Sequence, residues 1–403
     1  MPSGLALALA TTACADRETT PSFTAVDAQS LVWDSVLGRA GGATVVWRMW
    51  RGDPSINAYV DGWVAPRVLE RFGVTLRAVG GQGPEIVNQL VTEREAGARG
   101  TADLVWINGE TFHNLRREDL LFGPWAGRLP NAAHVDSGSS IIMRDFEQDP
   151  AGFESPWGTV QFALIHDTLR VPDPPRTFAE LHDWIVANPG RFTHDQSFAG
   201  MTFLKALMYS LDGGVDAFRG GFDQEKWAAA SEKVFSWLET LEPHFWRGGE
   251  VYPPGVAEMH RLFANGEIDF TMSNNHNEAI TKVRQGILPP SARPFLLRDG
   301  TVANAHYIGI PFNAPNPAAA MVVADFLLSP EAQLEKLKPS VWADGTVLDI
   351  ESVPEPWRSG FQSLERDPLA LPADSLAKYA RPEVAPEYHE RMLEGWRTRV
   401  RGS

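Results

Sequence analysis

The N-terminal third of the sequence alternates between strand-like and helix-like segments, and this alternation restricts the fold more than any other feature. β-Branched and aromatic residues predict strands at 44–50, 74–79 and 103–107. Apolar residues at helical spacing predict helices at 61–72 and 84–95 between them. Strands that alternate with helices are joined by right-handed crossovers, which predicts an α/β fold with a parallel sheet.

Two loops of this segment are candidates for a binding site. Residues 50–57 follow the first predicted strand, and residues 108–112 follow the third. Ligands of parallel sheets bind beyond the carboxyl ends of the strands. The residues from Arg51 to Trp63 are rich in Gly, Pro, Asp and Asn and predict a loop that leads into the helix at 61–72, with Gly73 as its C-terminal cap.

The remainder of the chain is richer in predicted helices, and 403 residues are enough for two domains. Helices are expected at 175–188, with Thr177 as N-cap, and at 198–211, 227–241, 277–284, 317–328 and 386–399; short strands are expected at 268–272 and 306–311.

The charge and the single cysteine narrow the class of protein. The formal net charge of −15 argues against nucleic acid or an anionic membrane surface as partner. Cys14 is the only cysteine, which excludes an internal disulfide. Residues 4–14, GLALALATTAC, resemble a bacterial lipoprotein signal that is cleaved after Ala13 and lipidated on Cys14. Residues 1–27 are therefore expected to be a signal and tether; the alternative is a disordered tail with an incidental cysteine.

No sequence motif indicates an enzyme. The GxSxG, HExxH and phosphate-binding-loop patterns do not occur, and the ten histidines show no metal-ligand spacing. We therefore expect no catalytic residues, no metal and no cofactor. Glu110 and Glu154 leave one enzymatic alternative open, the paired acids of a glycosidase.

Aromatic residues in predicted loops favour a binding protein instead. The chain has 14 tryptophans; the candidates for the ligand site are Trp50, Trp157 and Trp246 in loops and Trp106 near a strand end. Indole faces stack on heterocycles and attract cations. Other candidates are the acids Asp53 and Glu110, as counter-charges, and the amides Asn57, Asn108, Asn274, Asn275 and Asn304. Core packing, for the tryptophans, and helix capping, for the asparagines, remain alternatives. The predicted ligand is a small cationic or zwitterionic heterocycle.

Several longer motifs resemble a known family. The segment 302–337, with IGIPFNAPNPAAAMVVADFLLSPEAQ, is similar to the C-terminal third of bacterial extracellular solute-binding proteins. The motifs WRGDPSINAYVDGWV (50–64), ADLVWINGETFHNL (102–115), ESPWGTVQF (154–162) and LEPHFWRGG (241–249) resemble the YnjB-like family of thiamine-transport substrate-binding proteins. The resemblance runs from Val45 to Leu348.

This resemblance implies a two-domain Venus-flytrap fold with the ligand cleft between the domains. Domain 1 would hold residues 28–155 and 300–345, and domain 2 would hold residues 156–299 and 346–403. Trp157 and Trp246 would then close over the ligand from domain 2. The implied protein is a monomeric, extracytoplasmic and lipid-anchored carrier of thiamine or a related cation, with an ABC permease and ATPase as partners. The alternative from another class is an exported carbohydrate-binding or glycan-active lipoprotein.

Overall fold

The computed structural model describes residues 23–401, so the expected signal segment and Cys14 lie outside the described residues. The first helix begins at Ala25, within the expected tether. The elements up to residue 161 are α1 (Ala25–Ser30), α2 (Trp33–Ala40), β1 (Thr44–Met49), α3 (Pro54–Asn57), α4 (Ala65–Phe72), β2 (Thr75–Gly80), α5 (Gly83–Glu95), β3 (Leu104–Ile107), α6 (Gly109–Arg117), α7 (Ser140–Met143) and β4 (Glu154–Gln161).

The later elements form a second unit and then return to the first. They are β5 (Ala163–Asp167), α8 (Phe178–Ala187), α9 (Phe198–Leu211), α10 (Gln224–Leu241), α11 (Val256–Ala264), β6 (Phe270–Ser273), α12 (Glu278–Arg284), β7 (Ala292–Phe295), β8 (Thr301–Gly309), α13 (Pro317–Leu328), α14 (Pro330–Leu337), α15 (Trp357–Gln362), α16 (Ala373–Tyr379), β9 (Ala380–Arg381) and α17 (Pro386–Gly395). Within residues 23–401, no helix combines the length and the apolar character that a membrane span needs.

The first sheet has the strand order β2-β1-β3-β8-β4, and β9 pairs with β8. Strand β1 runs parallel to both β2 and β3, which confirms the arrangement predicted from the strand–helix alternation. Strand β8 is antiparallel to its neighbours β3 and β4. The second sheet is antiparallel, with β5 between β6 and β7.

Three hydrophobic cores define two domains. Domain 2 contains the core built from residues 162–302 and 384–396. Domain 1 has a core on each face of the first sheet: one face packs against α2 and α13, and the other packs against α5 and α6. The chain therefore passes between the domains near Phe162, near Val302 and between Phe361 and Val384.

The cores place two segments differently from the division expected from the sequence. Strand β4, up to Gln161, pairs along its length with β8 of domain 1. Val347 and Val353 are buried in the core of domain 1, and the side-chain oxygen of Gln333 in α14 accepts a hydrogen bond from the Val347 N–H at 3.2 Å. Residues 346–361 therefore lie with domain 1 rather than with domain 2.

The segment that follows β1 is more helical than its composition predicts. The Asp53 carboxylate accepts a hydrogen bond from the Ser55 N–H at 2.7 Å and caps α3, which has Pro54 in its first turn. A π-helical stretch from Ala58 to Val64 then joins α3 to α4. Gly73 ends α4 in the left-handed conformation, with φ of 65°, as its predicted role as a C-terminal cap requires.

Candidate functional site

Domains 1 and 2 meet at the edge of the first sheet where β1 ends. The β1–α3 loop carries Asp53, whose carboxylate lies 2.6 Å from the Lys282 ammonium of α12 in domain 2. The side chain of Gln285, the C-cap residue of α12, donates a hydrogen bond to the Ser55 hydroxyl at 2.7 Å. The Asp53–Lys282 pair is nearly buried, so these contacts close one flank of an interdomain cleft.

The end of β3 lies on the other flank of this cleft. The Gly109 N–H, at the start of α6, donates a hydrogen bond to Asp145 Oδ2 at 2.5 Å. Phe146, the residue after Asp145, has a left-handed backbone with φ of 49°. Its ring lies 6.3 Å from the ring of Phe198 in domain 2. Gly109 must lack a side chain, because a Cβ at this position would overlap the Phe146 ring. Strained backbone of this kind is concentrated at functional sites.

A buried charged group lies beside these two rings. Lys205 in α9 is fully buried, and its ammonium donates a hydrogen bond to Glu383 Oε2 at 2.5 Å. The Asn304 side chain donates to Glu383 Oε1 at 2.9 Å. We call Lys205, Glu383, Asn304, Asp145 and Glu110 the Lys205 cluster, because the carboxylates of Asp145 and Glu110 also act on the Lys205 charge.

The Lys205 cluster has the aromatic surroundings that organic cations prefer. The Lys205 nitrogen lies 4.5 Å from the centroid of the Phe146 ring and 5.1 Å from that of the Phe198 ring. Phe146 also lines an interdomain groove of about 640 Å³. The other lining residues include His113, Arg144, Glu147, Gly220, Phe222 and Pro386. A volume of this size is typical of small-molecule sites.

Burial shifts the proton affinities of the cluster. Burial raises the pKa of Asp145 to about 8, and the nearby Glu383 carboxylate adds to the shift. Burial and the neighbouring Glu390 raise the pKa of Glu110, and burial lowers the pKa of Lys205 against the pull of Glu383. Asp145 Oδ1 is buried and has no hydrogen-bond partner among residues 23–401. This carboxyl is therefore able to accept a donor or a positive charge that enters the cleft.

A third buried carboxyl, Glu154, lies close to Asp145. Burial and repulsion from Asp145 raise its pKa well above the usual range. Neither of its carboxyl oxygens has a hydrogen-bond partner in the part of the chain that the structure describes. Because each carboxylate disfavours the other, ionisation of Asp145 keeps Glu154 protonated.

The N-terminus of α9, which faces domain 1 through Phe198, is already occupied by a carboxylate of the chain. Asp195 Oδ1 accepts hydrogen bonds from the N–H groups of Ser197 at 2.7 Å and Gly200 at 3.0 Å. Asp195 itself is fully buried. The helix dipole and the free N–H groups, which would attract an anion, are thus satisfied internally.

Two of the predicted tryptophans, Trp106 and Trp157, lie in a group of aromatic side chains on one face of the first sheet. Trp157 is fully buried in the core of domain 1, with its ring 4.9 Å from that of Trp106. Both rings contact His306, whose Nε2 lies 3.1 Å from the Asp344 carboxylate; Asp344 also pairs with Lys336 at 2.9 Å. Trp157 thus lies in domain 1, although the sequence suggested domain 2.

The other predicted aromatic residues are separated in the structure. Trp50 is 40% exposed and packs over Gly52 in the β1–α3 loop. Trp246 is buried in the core of domain 2, and the Arg247 guanidinium lies 4.3 Å from its ring centroid. The structure therefore brings Trp50, but not Trp246, to the loop beside the interdomain contacts.

The predicted asparagines have several different environments. The Asn57 side chain donates to the Arg51 carbonyl at 3.0 Å, and Asn108 is the N-cap residue of α6 without a side-chain capping bond. Asn274 has a buried Oδ1 atom that lacks a partner among residues 23–401. Asn275 accepts a hydrogen bond from the Asn277 N–H at 2.9 Å.

The two predicted acids, Asp53 and Glu110, have different partners. Asp53 is paired with Lys282, whereas Glu110 lies 3.4 Å from the Nε2 atom of the buried His389. Burial lowers the pKa of His389 well below its usual value, so this imidazole is neutral at pH 7. In residues 23–401, His, Cys, Asp and Glu side chains form no group of three or more placed to hold a metal ion.

Sequence reasoning missed Lys205, Asp145, Phe146, Phe198 and Glu383. One signal for Lys205 was present, since it is the one charged residue in the apolar run FAGMTFLKALMYSL of α9. A lysine inside a buried helix needs a charged partner. The other four residues lie in ordinary loop or helix sequence and gave no comparable signal.

Comparison with known proteins identifies the class. Residues 65–349 match the family model described as bacterial extracellular solute-binding protein, and the chain belongs to this family. It is an extracytoplasmic solute-binding protein for an ABC importer, which confirms the predicted class. The chain is 36% identical over 345 residues to the protein YnjB of Escherichia coli strain K12, with 84% of this chain and 88% of that protein covered.

Solved structures confirm the two-domain periplasmic-binding-protein fold. The chain resembles AfuA from Actinobacillus pleuropneumoniae, which was solved with fructose-6-phosphate bound (15% identity, TM-score 0.63, 90% of this chain and 99% of that chain). It also resembles the spermidine/putrescine ABC transporter substrate-binding protein PotD from Streptococcus pneumoniae, at 14% identity and a TM-score of 0.62, with 89% of this chain and 99% of that chain covered. Iron-bound HitA from Pseudomonas aeruginosa is similar at 17% identity and a TM-score of 0.58, with 89% of this chain and 99% of that chain covered. At these identities the likeness concerns the fold alone.

Proposed function

We propose that this protein binds a small organic cation, with thiamine or a related heterocycle as the lead candidate, and delivers it to an ABC importer without chemical change. The observation that carries the proposal is Asp145. Its carboxyl is buried between the domains, one of its oxygens has no partner among residues 23–401, and it lies beside the rings of Phe146 and Phe198, which are tilted at 47° with centroids 6.3 Å apart. A flat cation gains both stacking and charge neutralisation in such surroundings.

The electrostatics of the cleft favour a cation over an anion. Asp195 occupies the N-terminus of α9, where an anionic group would otherwise bind. The raised pKa of Glu110 and the pKa of about 8 for Asp145 reflect carboxyls that lack a sufficient positive partner. A bound cation would lower both pKa values, since an opposite charge stabilises the ionised form.

Titration calorimetry with thiamine tests this proposal directly. We expect thiamine to bind at neutral pH, more weakly at higher salt, and Asp145→Asn to weaken binding at least tenfold, because the neutral amide keeps the shape but loses the charge. Glu70→Gln, on the exposed surface of α4, is the matched control and should leave the affinity unchanged. Absence of thiamine binding at millimolar concentration, together with tight binding of a neutral sugar or of phosphate, would refute the cation proposal.

Trp50 provides a second, independent test of the same site. Its indole is 40% exposed in the loop next to Asp53, and we propose that it stacks on the ligand. Trp50→Ala should weaken thiamine binding by about 1–3 kcal/mol, as expected for a lost aromatic and cation–π partner. An unchanged calorimetric affinity would remove Trp50 from the site. Release of product from any glycan would instead favour the carbohydrate-active alternative.

We further propose that the mature protein is a monomer held at the membrane by a lipid on Cys14. The support is the apolar and small-residue run that precedes the only cysteine of the chain. Labelling with a fatty-acid analogue in a bacterial host should tag the protein, and Cys14→Ser should abolish the tag. A tag that survives this substitution would exclude Cys14 as the lipid site.

A further inference from the structure

The carboxyls of the Lys205 cluster differ in whether they have a cationic partner. Glu383 is neutralised by Lys205 at 2.5 Å, and both side chains are almost completely buried. Burial and repulsion from Glu390 raise the pKa of Glu110 against the weaker attraction of Lys205 and Arg397, and Glu110 lies 3.4 Å from His389. Asp145 and Glu154 repel each other, so a cation that enters the cleft readily ionises only one of them. Glu383 is thus the carboxylate of this group that already has a cationic side chain as partner.

Lys205 is not explained by packing alone. Its neighbours in α9, Phe203, Leu204, Ala206 and Leu207, are all buried apolar residues. An apolar side chain at this position would pack at least as well, because buried ion pairs are often replaced by hydrophobic residues without loss of stability. What an apolar residue could not do is neutralise Glu383, which Asn304 holds in place at 2.9 Å.

We infer that Lys205 is a specificity-determining residue that lowers the affinity of the cleft for a doubly charged ligand relative to a singly charged one. Because Glu383 is already paired to Lys205, its carboxylate is not free to neutralise a second positive charge on the ligand. This inference rests on the proposed function, since it assumes that the ligand is a cation. It assigns Lys205 to ligand selection through charge, without requiring a direct contact with the ligand.

The test compares cations that differ in charge but not in skeleton. Butylammonium and butane-1,4-diammonium serve as the matched pair, and thiamine serves as the larger monocation; affinities are measured by competition calorimetry. In Lys205→Met, Glu383 loses its partner, so the ratio of dication to monocation affinity should rise at least tenfold. In the double variant Lys205→Met, Glu383→Gln both charges are absent, so this ratio should return to the wild-type value.

A second variant removes the negative charge of the pair instead of the positive one, so the test does not depend on whether Lys205→Met folds. Glu383→Gln leaves the Lys205 charge unpaired, and it should weaken binding of both amines, the diammonium more than the monoammonium. Lys338→Met, which removes a half-buried ion pair at the C-terminal end of α14, is the control and should change neither affinity. Melting curves of all variants report whether each one is folded.

The outcomes separate this inference from the proposed function. Binding of a monocation by the wild type, with both selectivity shifts and the recovery in the double variant, supports the inference. Binding of a monocation with a charge preference that is unchanged in Lys205→Met, or in Glu383→Gln where the first variant does not fold, overturns the inference and leaves the proposed function standing. Failure of every cation to bind the wild type overturns both.

Discussion

At the scale of single residues, Asp145 combines burial, an unpartnered oxygen and a pKa of about 8. The usual pKa of an aspartate carboxyl is 3.8. Between these two pH values the folded protein keeps a proton that the unfolded chain releases. The free energy of unfolding must therefore fall as the pH rises from about 4 to 8, and this loss is the cost of keeping a carboxyl in the cleft.

Asp145→Asn should abolish that part of the pH dependence, because an amide does not titrate. Without ligand, we expect the variant and the wild type to be similarly stable near pH 4. At pH 8 the variant should be more stable by at least about 1 kcal/mol, which corresponds to roughly one pKa unit. Urea unfolding at pH 4, 6 and 8 measures the difference, and Glu70→Gln is the control. Parallel curves for Asp145→Asn and the wild type would contradict this account.

At the scale of secondary-structure elements, α9 carries Phe198 and Lys205 and so positions much of the site. Its N-terminus is fixed by Ser197 and by the buried Asp195, which accepts three hydrogen bonds: from the Ser197 N–H, the Ser197 hydroxyl and the Gly200 N–H. The N-terminus of α10 is instead capped by Asp223, whose side chain is 44% exposed. The two helices thus offer a buried and an exposed cap in one protein.

Asp195→Ala should lower the free energy of unfolding by about 1–2 kcal/mol, because three donors, two of them backbone N–H groups, lose their acceptor inside the protein. Asp223→Ala should cost less, about 0.5–1 kcal/mol, because water can reach the exposed N–H groups of α10. Asp195→Asn, which keeps an acceptor oxygen, should recover most of the loss. Chemical denaturation measures all three variants; an equal cost for the two alanine variants would show that burial of the cap is unimportant.

At the scale of the whole molecule, polar contacts join the two domains on both flanks of the cleft. Lys282 pairs with Asp53 at 2.6 Å, and the Asn277 side chain donates to the Ala343 carbonyl at 3.0 Å. On the other flank, Glu147 accepts hydrogen bonds from the N–H groups of Gly220 and Gly221 at 3.2 and 3.3 Å. Polar interfaces of this kind allow a hinge to open and close with small changes in free energy.

Lys282→Met should shift the protein towards an open form, because it leaves Asp53 buried without its partner when the domains close. We expect a larger radius of gyration by small-angle scattering without ligand, and thiamine binding about tenfold weaker or more. Saturating ligand should bring the wild type to its smallest radius. Lys338→Met, which breaks the ion pair with Glu335 at the C-terminal end of α14, should behave as the wild type. A scattering profile of Lys282→Met identical to that of the wild type would count against a role of this pair in closure.

The sequence by itself determined the features that depend on neighbouring residues. Apolar spacing fixed α9 at Phe198–Leu211 and α13 at Pro317–Leu328, both as predicted. The alternation from β1 to β3 gave the parallel sheet and placed the β1–α3 loop at a strand end. These features follow from side-chain periodicity and capping, which act over a few residues.

Only the tertiary structure decided which of these residues meet. Lys205 and Glu383 are 178 positions apart, and Asp53 and Lys282 are 229 positions apart, so no local pattern couples them. Trp157, next to glycine and proline in the sequence, is a core residue because distant segments place the rings of Trp47, Trp106 and Trp342 around it. Burial and charge pairing depend on how distant segments pack together, and this packing is a property of the whole folded chain.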